Sequence, residues 1–169
     1  MTNASVQDVF SQASGAGRTK TLFFDIGDAP WFPVDVPVDG GGQFPDEIVG
    51  KVDLHEYFKD MEIQPIDCGG YNILQTRVPP GFNVPRHRHN TDQLVFVMEG
   101  SALQGSRELG VGEGWFTPAG NPYGIQAGPR GLTWLEVRTT PLAELTIEWL
   151  ETNPIRWAHD HPGSGRGGS

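Results

Sequence analysis

The stretch that decides the fold runs from residue 81 to residue 100 and reads GFNVPRHRHNTDQLVFVMEG. At its centre lie two histidines, His87 and His89, separated by Arg88. On a β-strand, side chains two residues apart point to the same face, so both imidazoles project together and Arg88 projects from the opposite face. Two imidazoles aimed into a cavity form half of a metal site. The alternative is a metal-free pocket in which they hydrogen-bond an organic ligand.

The residues after the histidines predict a turn and a second strand. Asn90–Asp92 contains residue types that turn the chain, so Gln93 begins the next strand beside the two histidines. Gly100 then ends that strand in another turn. The amide oxygen of Gln93 binds metal weakly, and the competing interpretation is a core amide whose hydrogen bonds are satisfied inside the protein.

Short apolar runs bounded by glycine or proline recur along the rest of the chain. They lie at Tyr71–Val78, Gln93–Met98, Trp115–Phe116, Leu132–Arg138 and Glu144–Leu150. The 23 glycines and 14 prolines also suit many short strands joined by turns better than long helices. Closely spaced short strands with turn signals predict an all-β sandwich or barrel.

We expect one domain with a short extension at each end, since 169 residues is close to the usual size of one domain. Residues 1–20 are small and polar, and either a flexible segment or a short helix fits them. The barrel is expected to span residues 21–152. The Gly- and Ser-rich residues 153–169 are expected to form a mobile tail. Within the barrel, residues 51–60 and 142–151 fit a helix as well as a strand.

Composition and charge argue against several classes of protein. The formal net charge of −9 argues against a nucleic-acid-binding surface, which needs a basic patch. The single cysteine, Cys68, excludes an intrachain disulfide and a zinc site built from several thiolates. No apolar run approaches the roughly 18 residues that span a membrane, and the N-terminus lacks the features of a signal peptide. We therefore expect a cytoplasmic protein without nucleic-acid or membrane partners.

The spacing around the histidines resembles the first sequence motif of the cupin superfamily. That motif has Gly, five residues, His-x-His, three residues, an acidic residue, six residues and Gly. Every spacing is present between Gly81 and Gly100, but Gln93 stands where the family usually has Glu. The prolines that precede Gly81 and the aromatic segment at residues 30–33 resemble cupins of the anti-sigma and small-ring dioxygenase kind.

A second cupin motif is matched in part. Gly112, five residues and then Pro118-Ala-Gly120 agree with its opening. Tyr123 stands where the family has its last metal-binding histidine, and Ala127 stands where Asn is common. The match to both motifs implies a single cupin barrel, which is a double-stranded β-helix or jelly roll, with an N-terminal extension.

The resemblance also implies a metal site. Its ligands would be His87, His89, Gln93 and Tyr123, and the cofactor a divalent transition metal, with iron first and zinc, nickel, manganese or copper as alternatives. Tyr123 fits three roles: a phenolate ligand, a proton donor to the substrate, or a packing residue of the wall with its hydroxyl bonded locally.

The activity that follows is a metal-dependent enzyme acting on a small organic substrate. An Fe(II) dioxygenase is expected first, because few protein ligands leave room for a chelating substrate and O₂ together. One alternative is a lyase, isomerase or cyclase with Tyr123 as the acid–base group. Another is a non-catalytic sensor or storage barrel. We also expect a homodimer, because cupin-like barrels usually pair and the Trp31–Phe32 segment offers aromatic anchors to a neighbour.

Two further pairs of polar residues are assigned no role. Glu136 and Arg138 alternate with apolar residues on a predicted strand, and we expect them on its outer face. His159 and His161 repeat the His-x-His spacing in the predicted tail, where we expect them to be solvated.

Overall fold

The computed structural model describes residues 25–36, 42–67 and 71–159. The strands are β1 (Phe32–Pro33), β2 (Glu62–Asp67), β3 (Asn72–Val78), β4 (Asn83–His89), β5 (Gln93–Gln104), β6 (Arg107–Gly110), β7 (Gly114–Thr117), β8 (Tyr123–Arg138) and β9 (Ile147–Trp149). Helix α1 is Leu54–Phe58, and short 3₁₀ helices lie at Ile26–Asp28, Leu142–Glu144 and Pro154–Trp157. In these ranges no helix has the length and apolar character needed to cross a membrane.

Strand β8 organises the sheet, because its 16 residues are long enough to change partners along its length. Its first half pairs with β4 and with the end of β5, and its second half pairs with β3 and the start of β5. The sheet runs in the order β1-β2-β3-β8-β4-β9, and β5 also pairs with β6 and β7. Register shifts in β4 and β5 mark the bulges that bend such a sheet. The result is the curled all-β barrel that the sequence predicted.

The glycine that closes the first motif is required by the backbone. Gly100 has φ 73°, a left-handed conformation that glycine tolerates best. A Cβ at this position would lie 2.0 Å from the carbonyl oxygen of Gly131 on β8. Gly100 therefore lies within β5 rather than at its end, at a register shift where its backbone closely approaches β8.

The inner and outer faces of β8 are the reverse of the prediction. Glu136 and Arg138 are 5% and 3% exposed, whereas Leu135 and Val137 are half-buried on the other face. The alternation was predicted correctly, but the charged residues point inward. They are tolerated there because Arg138 Nη2 donates to Glu136 Oε2 at 2.6 Å, and buried charges need such pairing.

The structure decides between helix and strand for the two segments that fitted both. Residues 51–60 contain α1, which begins after Asp53, whose side chain accepts a hydrogen bond from the Glu56 N–H at 3.0 Å. Residues 142–151 contain both elements: a 3₁₀ turn follows Pro141, and β9 then pairs with the histidine strand β4.

The predicted tail begins too early in the sequence. Trp157 is 4% exposed and packs 5.4 Å from Trp149, and its Nε1 donates to the carbonyl oxygen of Glu151. His159 is also packed, since its Nδ1 accepts from the Asn83 N–H at 3.1 Å. Residues 153–159 therefore belong to the barrel rather than to a tail. The predicted N-terminal segment 1–20 and His161 lie outside the described residues.

The homodimer stays a prediction. Phe32, in the aromatic segment expected to contact a neighbour, pairs with Ile63 of β2 in its own chain. Large apolar side chains are instead exposed on the outer face of β5 and β7: Leu94, Phe96, Met98 and Phe116. Such clusters are typical of interaction sites. Light scattering at micromolar concentration should give twice the chain mass of 18.5 kDa, and the mass of one chain would contradict the expectation.

Candidate functional site

The barrel encloses a cavity of about 390 Å³. Apolar and aromatic side chains form most of its lining, among them Phe44, Phe58, Val84, Ile125, Trp134 and Trp149. Strands β4 and β8 add five polar side chains: His87, His89, Tyr123, Glu136 and Arg138. An apolar cavity with a few placed polar groups is the usual form of a small-molecule site.

The structure brings the four predicted site residues together. His87 on β4 is paired in register with Tyr123 on β8, and their ring centroids are 4.5 Å apart. The His87 and His89 rings are 5.0 Å apart and nearly perpendicular. Gln93 differs from the other three, because its 1% exposed side chain lies behind the cavity wall.

His87 is held in one tautomer. Its Nδ1 lies 2.8 Å from the carbonyl oxygen of Pro85. A carbonyl oxygen only accepts, so Nδ1 carries the hydrogen and Nε2 keeps a lone pair. Burial lowers the pKa of His87, which keeps the ring neutral near pH 7. The side chain therefore offers an acceptor nitrogen at the cavity wall.

His89 is neutral as well. Burial, followed by the positive charge of Arg138 and then the proximity of the second titratable imidazole, His87, lowers the pKa of His89 to about 3. A hydrogen bond with the Thr146 backbone opposes this shift without reversing it. The histidine pair therefore brings no positive charge to the cavity at neutral pH.

The neutral histidines should make the fold sensitive to acid. An unfolded His titrates near 6.5. Below that pH, the two histidines therefore bind protons in the unfolded chain but not in the folded chain. Stability is then complete above about pH 6.5 and falls as the pH drops toward 3. From pH 7.5 to pH 5, His89 alone should lower the free energy of unfolding by about 2 kcal/mol.

Urea unfolding at both pH values measures this loss. His89→Gln should remove most of the contribution of His89, whereas His55→Gln should not, because the His55 side chain is 62% exposed. An unchanged pH dependence in His89→Gln would contradict the assignment.

Tyr123 is held as a neutral phenol. Burial, and then the negative charge of Glu136, raise the pKa of Tyr123, while Arg138 and the Gln93 amide oppose that rise. The ring is 7% exposed. A neutral phenol donates a hydrogen bond, whereas a phenolate only accepts. The environment of Tyr123 therefore favours the proton-donor role over the phenolate-ligand role.

Arg138 forms the polar centre of the site. Its Nε donates to Gln93 Oε1 at 3.0 Å, and its Nη2 donates to Glu136 Oε2 at 2.6 Å. The Arg138 side chain is 3% exposed, and its Nη1 has no partner among the described residues. A guanidinium fixed on two sides by hydrogen bonds is a rigid positive charge.

The donor set does not fit the four-ligand metal centre that the resemblance implies. Gln93 Oε1, one of the four expected donors, already accepts from a cationic guanidinium. Burial and the charge of Glu136 raise the pKa of Tyr123, which disfavours the phenolate form that binds a metal best. In the part of the chain that the structure describes, no three His, Cys, Asp or Glu side chains are grouped to hold a metal ion. The two histidines remain as neutral nitrogen donors.

Sequence reasoning missed three residues of the site. Glu136 and Arg138 were assigned to the outer face, and Trp149, whose ring lies 4.8 Å from that of His87, was placed in an ambiguous segment. A usable signal was the opposite charges two residues apart on a strand, because residues at that spacing share a face and can pair inside a barrel.

The sequence matches no protein-family model and no curated protein. Solved structures do resemble the chain. A sugar phosphate isomerase of the cupin superfamily from Silicibacter pomeroyi has a TM-score of 0.55 at 20% identity, over 77% of this chain and 82% of that one. A polyketide cyclase from Streptomyces resistomycificus has a TM-score of 0.54 at 19% identity, over 80% of this chain and 90% of that one.

Oxalate decarboxylase from Bacillus subtilis also resembles the chain, with a TM-score of 0.53 at 16% identity. That match covers 82% of this chain and 34% of the decarboxylase. At such identities, structural similarity shows a shared fold and not a shared activity. The chain therefore has the single-barrel fold of the cupin superfamily, as the two sequence motifs implied.

Proposed function

We propose that this protein is an enzyme that transfers protons on a small, mostly apolar carbonyl compound, as isomerases and cyclases do. One observation carries the proposal: the Tyr123 and His87 rings lie 4.5 Å apart, centroid to centroid, and both line a mostly apolar cavity. A phenol that donates and an imidazole nitrogen that accepts in one site form an acid–base pair.

The reaction uses both groups. The Tyr123 hydroxyl donates to the carbonyl oxygen of the substrate, while His87 Nε2 accepts a proton from the carbon next to that carbonyl. The C–H electron pair becomes the C=C bond of an enol, and the carbonyl oxygen takes the phenolic proton. The His87 imidazolium then returns a proton to the same or another carbon, which restores a ketone. Tyr123 recovers its proton from the enol hydroxyl. The Pro85 carbonyl, which accepts from Nδ1, stabilises the imidazolium that forms meanwhile.

The walls indicate the class of substrate. Trp134, Trp149 and Phe44 are flat aromatic side chains that line the cavity, and such surfaces pack well against ring systems. Charged sugars or phosphates would need more polar partners than these walls supply. A ring-containing ketone with one oxygen near Tyr123 matches both parts of the lining.

Hydrogen–deuterium exchange of 2-tetralone in D₂O tests the proposal. This ketone is apolar and bicyclic, and its α-hydrogens exchange only through an enol. The protein should accelerate exchange above the buffer rate, as NMR follows directly. Binding of 2-tetralone without faster exchange would support instead the non-catalytic binding protein considered from the sequence. The iron dioxygenase stays a prediction, and oxygen consumption by the iron-loaded protein would test it.

A further inference from the structure

Arg138 is linked to all four residues that the cupin resemblance assigns to a metal. It hydrogen-bonds directly to Gln93. It also lines the cavity together with His87, His89 and Tyr123. The group thus lies among the residues that would surround a bound ion.

We infer that the Arg138 guanidinium is the built-in cation of this cavity, standing in for a divalent metal and keeping metals out. The geometry supports this in two ways. The guanidinium takes the Gln93 oxygen that an ion would need, and it pairs with the Glu136 carboxylate. A dication at the same oxygen would sit beside a like charge in a poorly solvated site, where repulsion is strong.

The same group offers a hydrogen-bond donor to a ligand. Nε and Nη2 are engaged, whereas Nη1 has no partner among the described residues. Nη1 would donate a hydrogen bond to the oxygen of a carbonyl ligand. It would stabilise the negative charge that develops on that oxygen during enol formation. This second role rests on the proposed function, but exclusion of metal does not.

Cobalt(II) titration, followed by calorimetry and visible absorbance, tests the inference independently of any activity. The variants are Gln93→Glu, the same change with Arg138→Met, and the same change with Arg77→Met as a matched control. Arg77 is an exposed arginine that pairs with Glu62. With Arg138 present, the new carboxylate pairs with the guanidinium, so wild type, Gln93→Glu and the Arg77 control should all bind Co(II) weakly.

Removing Arg138 frees that carboxylate to join the two histidines as a ligand set. Gln93→Glu with Arg138→Met should therefore bind Co(II) about 10- to 100-fold more tightly than Gln93→Glu alone, the scale on which groups around metal sites change affinity. If this variant folds only with metal, its melting temperature must rise steeply with Co(II). Three results would each overturn the inference. Wild type could bind Co(II) as tightly as the double variant, Gln93→Glu alone could bind it as tightly as the double variant, or removal of Arg138 could leave the Co(II) affinity of Gln93→Glu unchanged.

Discussion

Tyr123→Phe should slow the exchange of 2-tetralone by about 10²-fold or more, because general acid catalysis usually contributes at least that much. The substitution removes the hydroxyl and almost no volume, so the aromatic wall keeps its shape. Binding of 2-tetralone should therefore change little while the rate falls. NMR exchange rates and calorimetric affinities, measured on the same preparations, separate the two effects.

Tyr57→Phe is the matched control for that result. Tyr57 is also a buried tyrosine, but its hydroxyl donates to the carbonyl oxygen of Asn83 and it does not line the cavity. Its loss should leave the exchange rate of 2-tetralone unchanged. Exchange at the wild-type rate in Tyr123→Phe would remove Tyr123 from the mechanism.

Arg138→Met should lower the free energy of unfolding by about 3–5 kcal/mol, the usual effect of removing one partner from a buried ion pair. The Glu136 carboxylate would remain 5% exposed without its cation, and Gln93 Oε1 would lose its donor. Both groups would stay desolvated in the folded state but not in the unfolded one. Urea unfolding at pH 7.5 measures the difference.

Two comparisons show whether burial causes the loss. Arg77→Met breaks a partly exposed ion pair with Glu62 and a cation–π contact with Trp31, and should cost about 1–2 kcal/mol. Glu136→Leu combined with Arg138→Met removes both charges and should recover most of the stability, because apolar residues of similar size replace buried pairs well. A loss in Arg138→Met no larger than in Arg77→Met would show that the pair is not structurally important.

Local spacing was enough to predict the barrel and the shared face of the histidines. Gly100 had to be glycine for steric reasons, and the period of two on β4 placed His87 and His89 on one side. The shared face depends only on neighbours in sequence, so a pattern reveals it. The steric need for Gly100 and the site's electrostatics depend on distant contacts, because Gly100 meets Gly131 on β8 and Gln93 meets Arg138 across 45 positions of chain.

The orientation of β8 shows why the charged part of the site could not be predicted from the sequence. Alternation identifies two faces but not which one is buried, and the usual rule places charge outside. Glu136 and Arg138 break the rule because each neutralises the other. The tail prediction failed for a related reason: Trp157 packs against Tyr57 and His159 accepts a hydrogen bond from Asn83, both far away in sequence.

The most direct test of the account is 2-tetralone exchange by protein stripped of metal with a chelator. Because Tyr123 and His87 themselves transfer the protons, with Arg138 as the fixed cation, the stripped protein should exchange as fast as untreated protein. Added Fe(II), Zn(II) or Co(II) should bring no increase. Exchange that disappears on chelation and returns with one of these metals would contradict it, and would support the metal centre of His87, His89, Gln93 and Tyr123 instead.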